Sequence, residues 1–201
     1  DEKGRYKAGV WVRDSGAGIG TMSFVDTLHG TFAGLGHSIS DSDTGADLTL
    51  LSGEIVPVTI TGCIRGAAGS PGELRGEFSA SAVGRVLAND TAGVYGSYSG
   101  PAIGQELPVA NLQEVTVGDA ELWATVQGVT AKPYKVKIEQ VNMTGTDKNR
   151  NLLIKATDES LLEITGGIVQ GMSGSPIVQN GRLAAVLTHV LVNDPTEGYA
   201  I

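Results

Sequence analysis

Gly171-Met172-Ser173-Gly174-Ser175-Pro176 runs directly into Ile177-Val178-Gln179-Asn180-Gly181 and then Leu183-Ala184-Ala185-Val186-Leu187-Thr188. Asn-Gly between two apolar runs is the strongest short hairpin signal. The last third of the chain therefore contains a buried β-hairpin, entered through a glycine-framed serine loop. Glycine tolerates φ > 0, so such a loop turns sharply. It can present a hydroxyl outward and aim successive backbone N–H groups at one point, as an oxyanion hole requires. Loops of this kind carry function when a rigid scaffold positions them. On the hexapeptide alone, plain turn residues are an equal reading of Ser173 and Ser175.

Outward from that loop the pattern stays β. The 201 residues include 29 glycines and seven prolines, with 41% apolar and 18% charged residues. Short alternating runs recur at Thr21–Asp26, Thr31–Leu35, Leu48–Leu51, Val56–Ile64, Gly76–Ala80, Gly84–Ala88 and Gly93–Tyr98. They resume at Gln105–Ala110, Ala120–Gln127, Tyr134–Val141 and Asn151–Ala156, and Gly9–Arg13 is a further short apolar run. About a dozen strands at this spacing predict a sandwich or barrels. Thr157–Gly167 differs: a capping residue, early acids, a short apolar set and a glycine stop predict one short helix. Ser99-Gly100-Pro101-Ala102-Ile103-Gly104 is the best linker. The expected fold is all-β: two packed six-stranded-type β-barrels over 1–100 and 101–201, with one or two short helices. A single large sandwich is the alternative.

Composition narrows the function. The formal net charge is -8 with no Lys/Arg cluster, which argues against nucleic-acid partners. One cysteine, Cys63, excludes an intrachain disulfide and a cysteine zinc site. Three scattered histidines lack metal-ligand spacing, so no metal and no cofactor are expected. No stretch approaches the length of a membrane span, and the polar start Asp1–Arg5 is not a signal peptide.

A serine hydroxyl needs a base, and histidine has a suitable pKa. A third group, usually a carboxylate, orients the imidazole. His37 follows Gly34-Leu35-Gly36 at a strand exit, His189 follows Thr188, and His29 sits in a turn. Asp41, Asp43 and Asp47 crowd the segment after His37. The parts of a Ser/His/Asp arrangement are all available, but spacing alone does not bring them together.

Three stretches extend this. They are Thr165–Ile177, then Thr188-His189-Val190 with Val192-Asn193-Asp194-Pro195-Thr196, and finally Gly18-Ile19-Gly20-Thr21 with Leu35–Asp41 and Asp43-Thr44-Gly45. Together they resemble the SpoIVB peptidases of spore-forming bacteria, a family of chymotrypsin-like serine peptidases. The resemblance implies Ser173 as nucleophile, His37 as general base and Asp158 as the acid, with Asp41 and Asp43 as rivals. Ser175 would be structural. The N–H groups of Gly171 and Ser173 would form the oxyanion hole. Gly166 and Gly167 would shape the pocket for the residue before the cut. Thr188, His189 and Val190 would pair with substrate as an added strand, and His189 is able to donate to a Glu or Gln side chain.

The same resemblance implies a narrow regulatory protease of sporulation. It would cut a membrane-associated regulator, and itself, between mother cell and forespore. A PDZ domain precedes the core in that family. No PDZ pattern occurs here, so the chain is expected to be part of a longer protein, with membrane contact through what precedes it. The competing class is a non-catalytic β-rich module or pseudoprotease.

Overall fold

The computed structural model describes residues 16–41, 44–101, 103–144 and 149–201; Gly9–Arg13 and Asp43 lie outside them. Seven strands occupy the first half: β1 (Met22–Asp26), β2 (Thr31–Gly34), β3 (Gly53–Ile55), β4 (Val58–Ile64), β5 (Glu73–Phe78), β6 (Gly84–Asp90) and β7 (Gly93–Tyr98). Six follow: β8 (Gly118–Ala124), β9 (Lys132–Val141), β10 (Leu152–Ala156), β11 (Pro176–Gln179), β12 (Arg182–Leu191) and β13 (Asp194–Ala200). The helix α1 (Glu159–Thr165) lies between β10 and β11, and a single 3-10 turn spans Leu112–Glu114.

The second half closes into a barrel in the order β10-β13-β12-β11-β8-β9. Alternation is clearest in β10 and in β9, where Tyr134, Val136 and Ile138 point inward and Lys135 and Lys137 outward. Closure removes sheet edges, and the interior is filled by Leu122, Ile138, Leu152, Ile154, Ile177 and Leu187, with Leu161 of α1 and Met172 of the serine loop in the same core. The Asn180-Gly181 turn joins β11 to β12 with φ of 53° and 73°, the two positive values a tight type I′ hairpin needs.

The first half is built differently from the expected second barrel. Among the described residues it forms a five-stranded sheet, β1-β2-β7-β6-β3, and a separate β4-β5 hairpin. Glycines on β7 and β6 let strands pack closely, but β6 has no buried face to close over: Arg85, Leu87 and Ala88 are all exposed, and of its residues only Gly84 is buried. Two expected strands are absent. Leu48–Leu51 forms none, and Leu51 is fully exposed. Gln105–Ala110 contributes only an isolated bridge, Val109 to Leu183. β6 runs on through Asn89 and Asp90, and the turn into β7 falls at Thr91-Ala92. The β4-β5 hairpin leans on the barrel, with Ile60 exchanging both backbone bonds with Gly128 (2.8 Å each) and Leu74 N–H donating to Gln170 O (2.9 Å).

Candidate active site

The serine loop leaves α1 through Gly166 and Gly167 and reaches β11 at Pro176. Gly171 (φ 96°) and Gly174 (φ 95°) lie on either side of Ser173 in a conformation side chains rarely adopt. Between them the N–H groups sort into two sets. Met172 N–H donates to Val169 O (3.1 Å), Gly174 N–H to Leu187 O (2.8 Å) and Ser175 N–H to Met172 O (2.9 Å). The N–H groups of Gly171 and Ser173 have no backbone acceptor among the described residues. Two unspent donors beside one serine hydroxyl are what an oxyanion hole consists of.

Thr21 stitches this loop to the first half. Its N–H donates to Ser173 O (2.8 Å), and its carbonyl accepts from Leu35 N–H (3.1 Å). Its hydroxyl donates to Gly171 O (3.3 Å) and accepts from Ser175 Oγ (3.4 Å). Ser175 is fully buried, so its role is to brace the loop. A Cβ on Gly174 would stand 1.9 Å from Thr21 O and 2.6 Å from Leu35 N. Hence the two halves meet backbone to backbone at the serine.

The same stitch delivers His37. After β2 the chain turns through Leu35 (φ 69°) and Gly36 (φ 67°). A leucine in the left-handed region is strained, and such strain clusters at functional sites. Gly36 packs on β12, where a Cβ would meet Thr188 Cγ2 at 2.8 Å. The His37 ring lies 5.2 Å from that of His189, tilted by 37°. His37 Nδ1 makes a 2.7 Å hydrogen bond with Ser38 O. Since a carbonyl only accepts, Nδ1 carries the proton and Nε2 is left with its lone pair. The Ser38 hydroxyl donates to Asp47, which also accepts from Ser40 Oγ (3.1 Å). Asn89 pins the segment by bonding Ile39 N–H (2.7 Å), Ile39 O (3.0 Å) and Leu48 O (3.0 Å).

Ser173 Oγ donates to Thr188 O at 2.9 Å, and no hydrogen bond joins it to His37. The Ser173 hydroxyl nevertheless meets Thr188, and the His37 ring lies against its neighbour His189. Thr188 is buried, and its hydroxyl is shared between Asn149 O (2.7 Å) and Tyr199 O (3.1 Å). At this level β12 pairs with β13 on one side, His189 opposite Tyr199 and Val190 opposite Gly198, whereas its pairing with β11 ends at Val186. The other edge of Thr188–Val190 thus faces the site unpaired by a strand. His189 Nδ1 is buried and lacks a partner. Burial, with His37 and Arg150 nearby, pushes the imidazole down from 6.5 to about 4, so it is neutral at neutral pH.

The remaining predicted site residues have bonding partners of their own. Asp158 is the N-cap of α1: it accepts from Ser160 N–H (3.0 Å), Leu161 N–H (3.2 Å), the Ser160 hydroxyl and Lys135 N–H (3.1 Å). The Ser160 hydroxyl, more than the backbone donors, holds its carboxyl below the usual range. None of these bonds reaches His37. Asp41 anchors its own turn by accepting from Thr44 N–H (2.9 Å) and Thr44 Oγ1 (3.1 Å). Gly166 and Gly167 form the helix stop, where a Cβ would stand 2.4 Å from Gly66 O and 2.3 Å from Pro195 O respectively. Among the described residues no group of three His, Cys, Asp or Glu is placed to hold a metal ion.

The Ser38 carbonyl, Asp47 and Asn89 were not singled out as site residues from the sequence. A main-chain carbonyl has no residue signature, and Asp47 was visible only as part of an acidic cluster. Comparison with curated proteins returned no match. Comparison with family models matched SpoIVB peptidase S55 over residues 4–201. With that match spanning essentially the whole chain, and an all-β fold consistent with the chymotrypsin-like class around a glycine-framed serine, the chain belongs to the SpoIVB peptidase S55 family and is a serine endopeptidase.

Proposed function

We propose that Ser173 is the nucleophile and His37 the general base of an acyl-enzyme mechanism. The observation that carries this is the pair of unspent N–H groups at Gly171 and Ser173 beside a histidine whose Nδ1–H is held by Ser38 O. On substrate binding, Ser173 Oγ leaves Thr188 O and turns to His37 Nε2. Apo sites commonly tighten in this way only in the complex. Oγ then bonds to the scissile carbonyl carbon while its proton passes to Nε2, and the carbonyl oxygen becomes an anion received by the two N–H groups. Collapse breaks the C–N bond, and Nε2 gives the proton to the leaving amine. Water repeats the sequence in reverse roles and releases the acid.

In this reading the Ser38 carbonyl, braced through Asp47, orients His37 in place of a carboxylate, and Asp158 serves the helix. Residues before the cut pair with Thr188–Val190 as an added strand. The His189 side chain lines the pocket for the residue before the cut, and its imidazole is able to donate to a Glu or Gln. Gly166 and Gly167 shape the pocket for the residue before the cut, and their positive φ turns the chain out of α1. The parking of Ser173 Oγ on Thr188 O supports a resting state that substrate or a partner domain relieves.

The biological part of the proposal rests on the family. The protein acts in sporulation on a membrane-associated regulator, and on itself, in the space between forespore and mother cell, with a PDZ domain of the longer protein as a partner. The test of the chemistry is p-nitrophenyl ester hydrolysis by wild type, Ser173→Ala and His37→Ala. A burst lost in both variants supports the assignment; a burst that survives Ser173→Ala refutes it.

A further inference from the structure

A cavity of about 580 Å³ that the reaction scheme does not use is lined by Gly171 and includes none of Thr188, His189 or Val190. Its walls include Ile19, Leu74, Gly76, Phe78, Gln170 and Gly171. It is apolar at its base: a Cβ on Gly171 would meet Leu74 Cβ at 3.1 Å and Ile19 Cγ2 at 3.3 Å. Phe78 is 47% exposed, an aromatic ring left without cover at the wall. Glu73 and Arg75 stand at the rim and offset each other at 3.6 Å, so the rim carries no net charge.

One wall is a strand edge. β5 pairs with β4 on one side, Gly76 opposite Ile60. Ile60 spends both its N–H and its carbonyl on Gly128, away from β5. In an antiparallel ladder, a residue opposite one that bonds outward also directs its own groups outward. The N–H and carbonyl of Gly76 therefore face the cavity. Two residues earlier the same edge is occupied: Leu74 N–H donates to Gln170 O, and Gln170 N–H to Gly72 O (3.2 Å). The pairing stops where the cavity begins.

We infer that this cavity is the subsite for the substrate residues after the scissile bond, which enter as an extended strand along Gly76 and seat an apolar side chain against Ile19, Leu74 and Phe78. The inference rests on the proposed roles of Ser173 and of the Thr188–Val190 edge. If residues before the cut lie along β12, and the carbonyl oxygen points at Gly171 N–H, the chain beyond the cut continues past Gly171 into the cavity. Main-chain bonds to the open edge supply affinity, and the apolar wall supplies selectivity.

The test is a randomised peptide mixture with cleavage products sequenced by mass spectrometry, alongside p-nitrophenyl ester hydrolysis, whose substrate has no residues after the cut. Expected is enrichment of aliphatic or aromatic residues at one of the first three positions after the cut. Phe78→Ala should lower kcat/KM for such peptides about tenfold, as loss of an apolar pocket contact does, with ester hydrolysis unchanged. Backbone N-methylation of the peptide after the cut should lower kcat/KM by a similar factor in wild type. No preference after the cut, or peptide and ester rates falling together in Phe78→Ala, overturns the inference while leaving the serine chemistry standing. Absence of ester hydrolysis in wild type removes that chemistry, and the inference with it.

Discussion

Replacing Asp158 separates two roles that one carboxylate can fill. As N-cap it satisfies Ser160 N–H and Leu161 N–H, and it also ties β9 to the helix through Lys135 N–H. Loss of a cap costs about 1–2 kcal/mol. Lys135 is an exposed residue, so loss of its bond to the carboxyl should add little. For a domain of this size about 2 kcal/mol lowers Tm by roughly 4–8 °C. Asp158→Asn keeps one acceptor oxygen and should lose about half as much. The difference between wild type and Asp158→Ala also has a pH signature. The folded carboxyl sits below its ordinary value, so its stabilisation is complete above the unfolded value of about 3.9 and fades as pH falls through the folded one. The assay pairs calorimetric Tm with the rate of fluorophosphonate labelling at 20 °C, well below unfolding. The expected outcome is a lowered Tm with a labelling rate within about threefold of wild type. An orienting acid behaves oppositely, since its loss costs about 10⁴ in turnover. Labelling reduced by that order at unchanged Tm would refute the cap assignment and restore Asp158 to the site.

Four further outcomes are expected. His189 is neutral when folded but titrates near 6.5 when unfolded, so stability is full above 6.5 and falls as pH drops toward about 4. The gap corresponds to about 3 kcal/mol, reduced to about 1–2 kcal/mol for a ring partly open to solvent, and His189→Leu should flatten that stretch of the Tm–pH curve. Gly174→Ala drives a Cβ to 1.9 Å from Thr21 O and should cost at least about 4 kcal/mol or abolish folding. Gly181→Ala, also at positive φ but with nothing within 4 Å, should cost only about 1–2 kcal/mol by denaturant unfolding. Thr21→Val leaves Gly171 O and the buried Ser175 hydroxyl without their partner, for a loss of about 1–3 kcal/mol by the same measurement.

The second half was legible because its signals are local. The Asn180-Gly181 turn, the capped helix after Thr157 and the period of Tyr134–Val141 each need only neighbouring residues, and each appears where expected. The first half was less so. Leu48–Leu51 is apolar enough for a strand, but the backbone there is held by Asn89 and by Leu48 N–H to Ile39 O (2.9 Å), contacts no sequence window contains. The serine, the histidine and the glycines between which they sit were readable as residue types. The group that holds His37 was not, because it is a main-chain carbonyl. Asp158 illustrates the converse: the residue that suits an N-cap also suits a catalytic acid, and the sequence offers it in both roles.

The central claim, that Ser173 is activated by His37 without a carboxylate bonded to Nδ1, is tested most directly by intact and peptide-mapped mass spectrometry after fluorophosphonate treatment. The account predicts one adduct, on Ser173, lost in His37→Ala and retained in Asp158→Ala. An adduct on Ser175, or one on Ser173 that persists in His37→Ala at the wild-type rate, would contradict it.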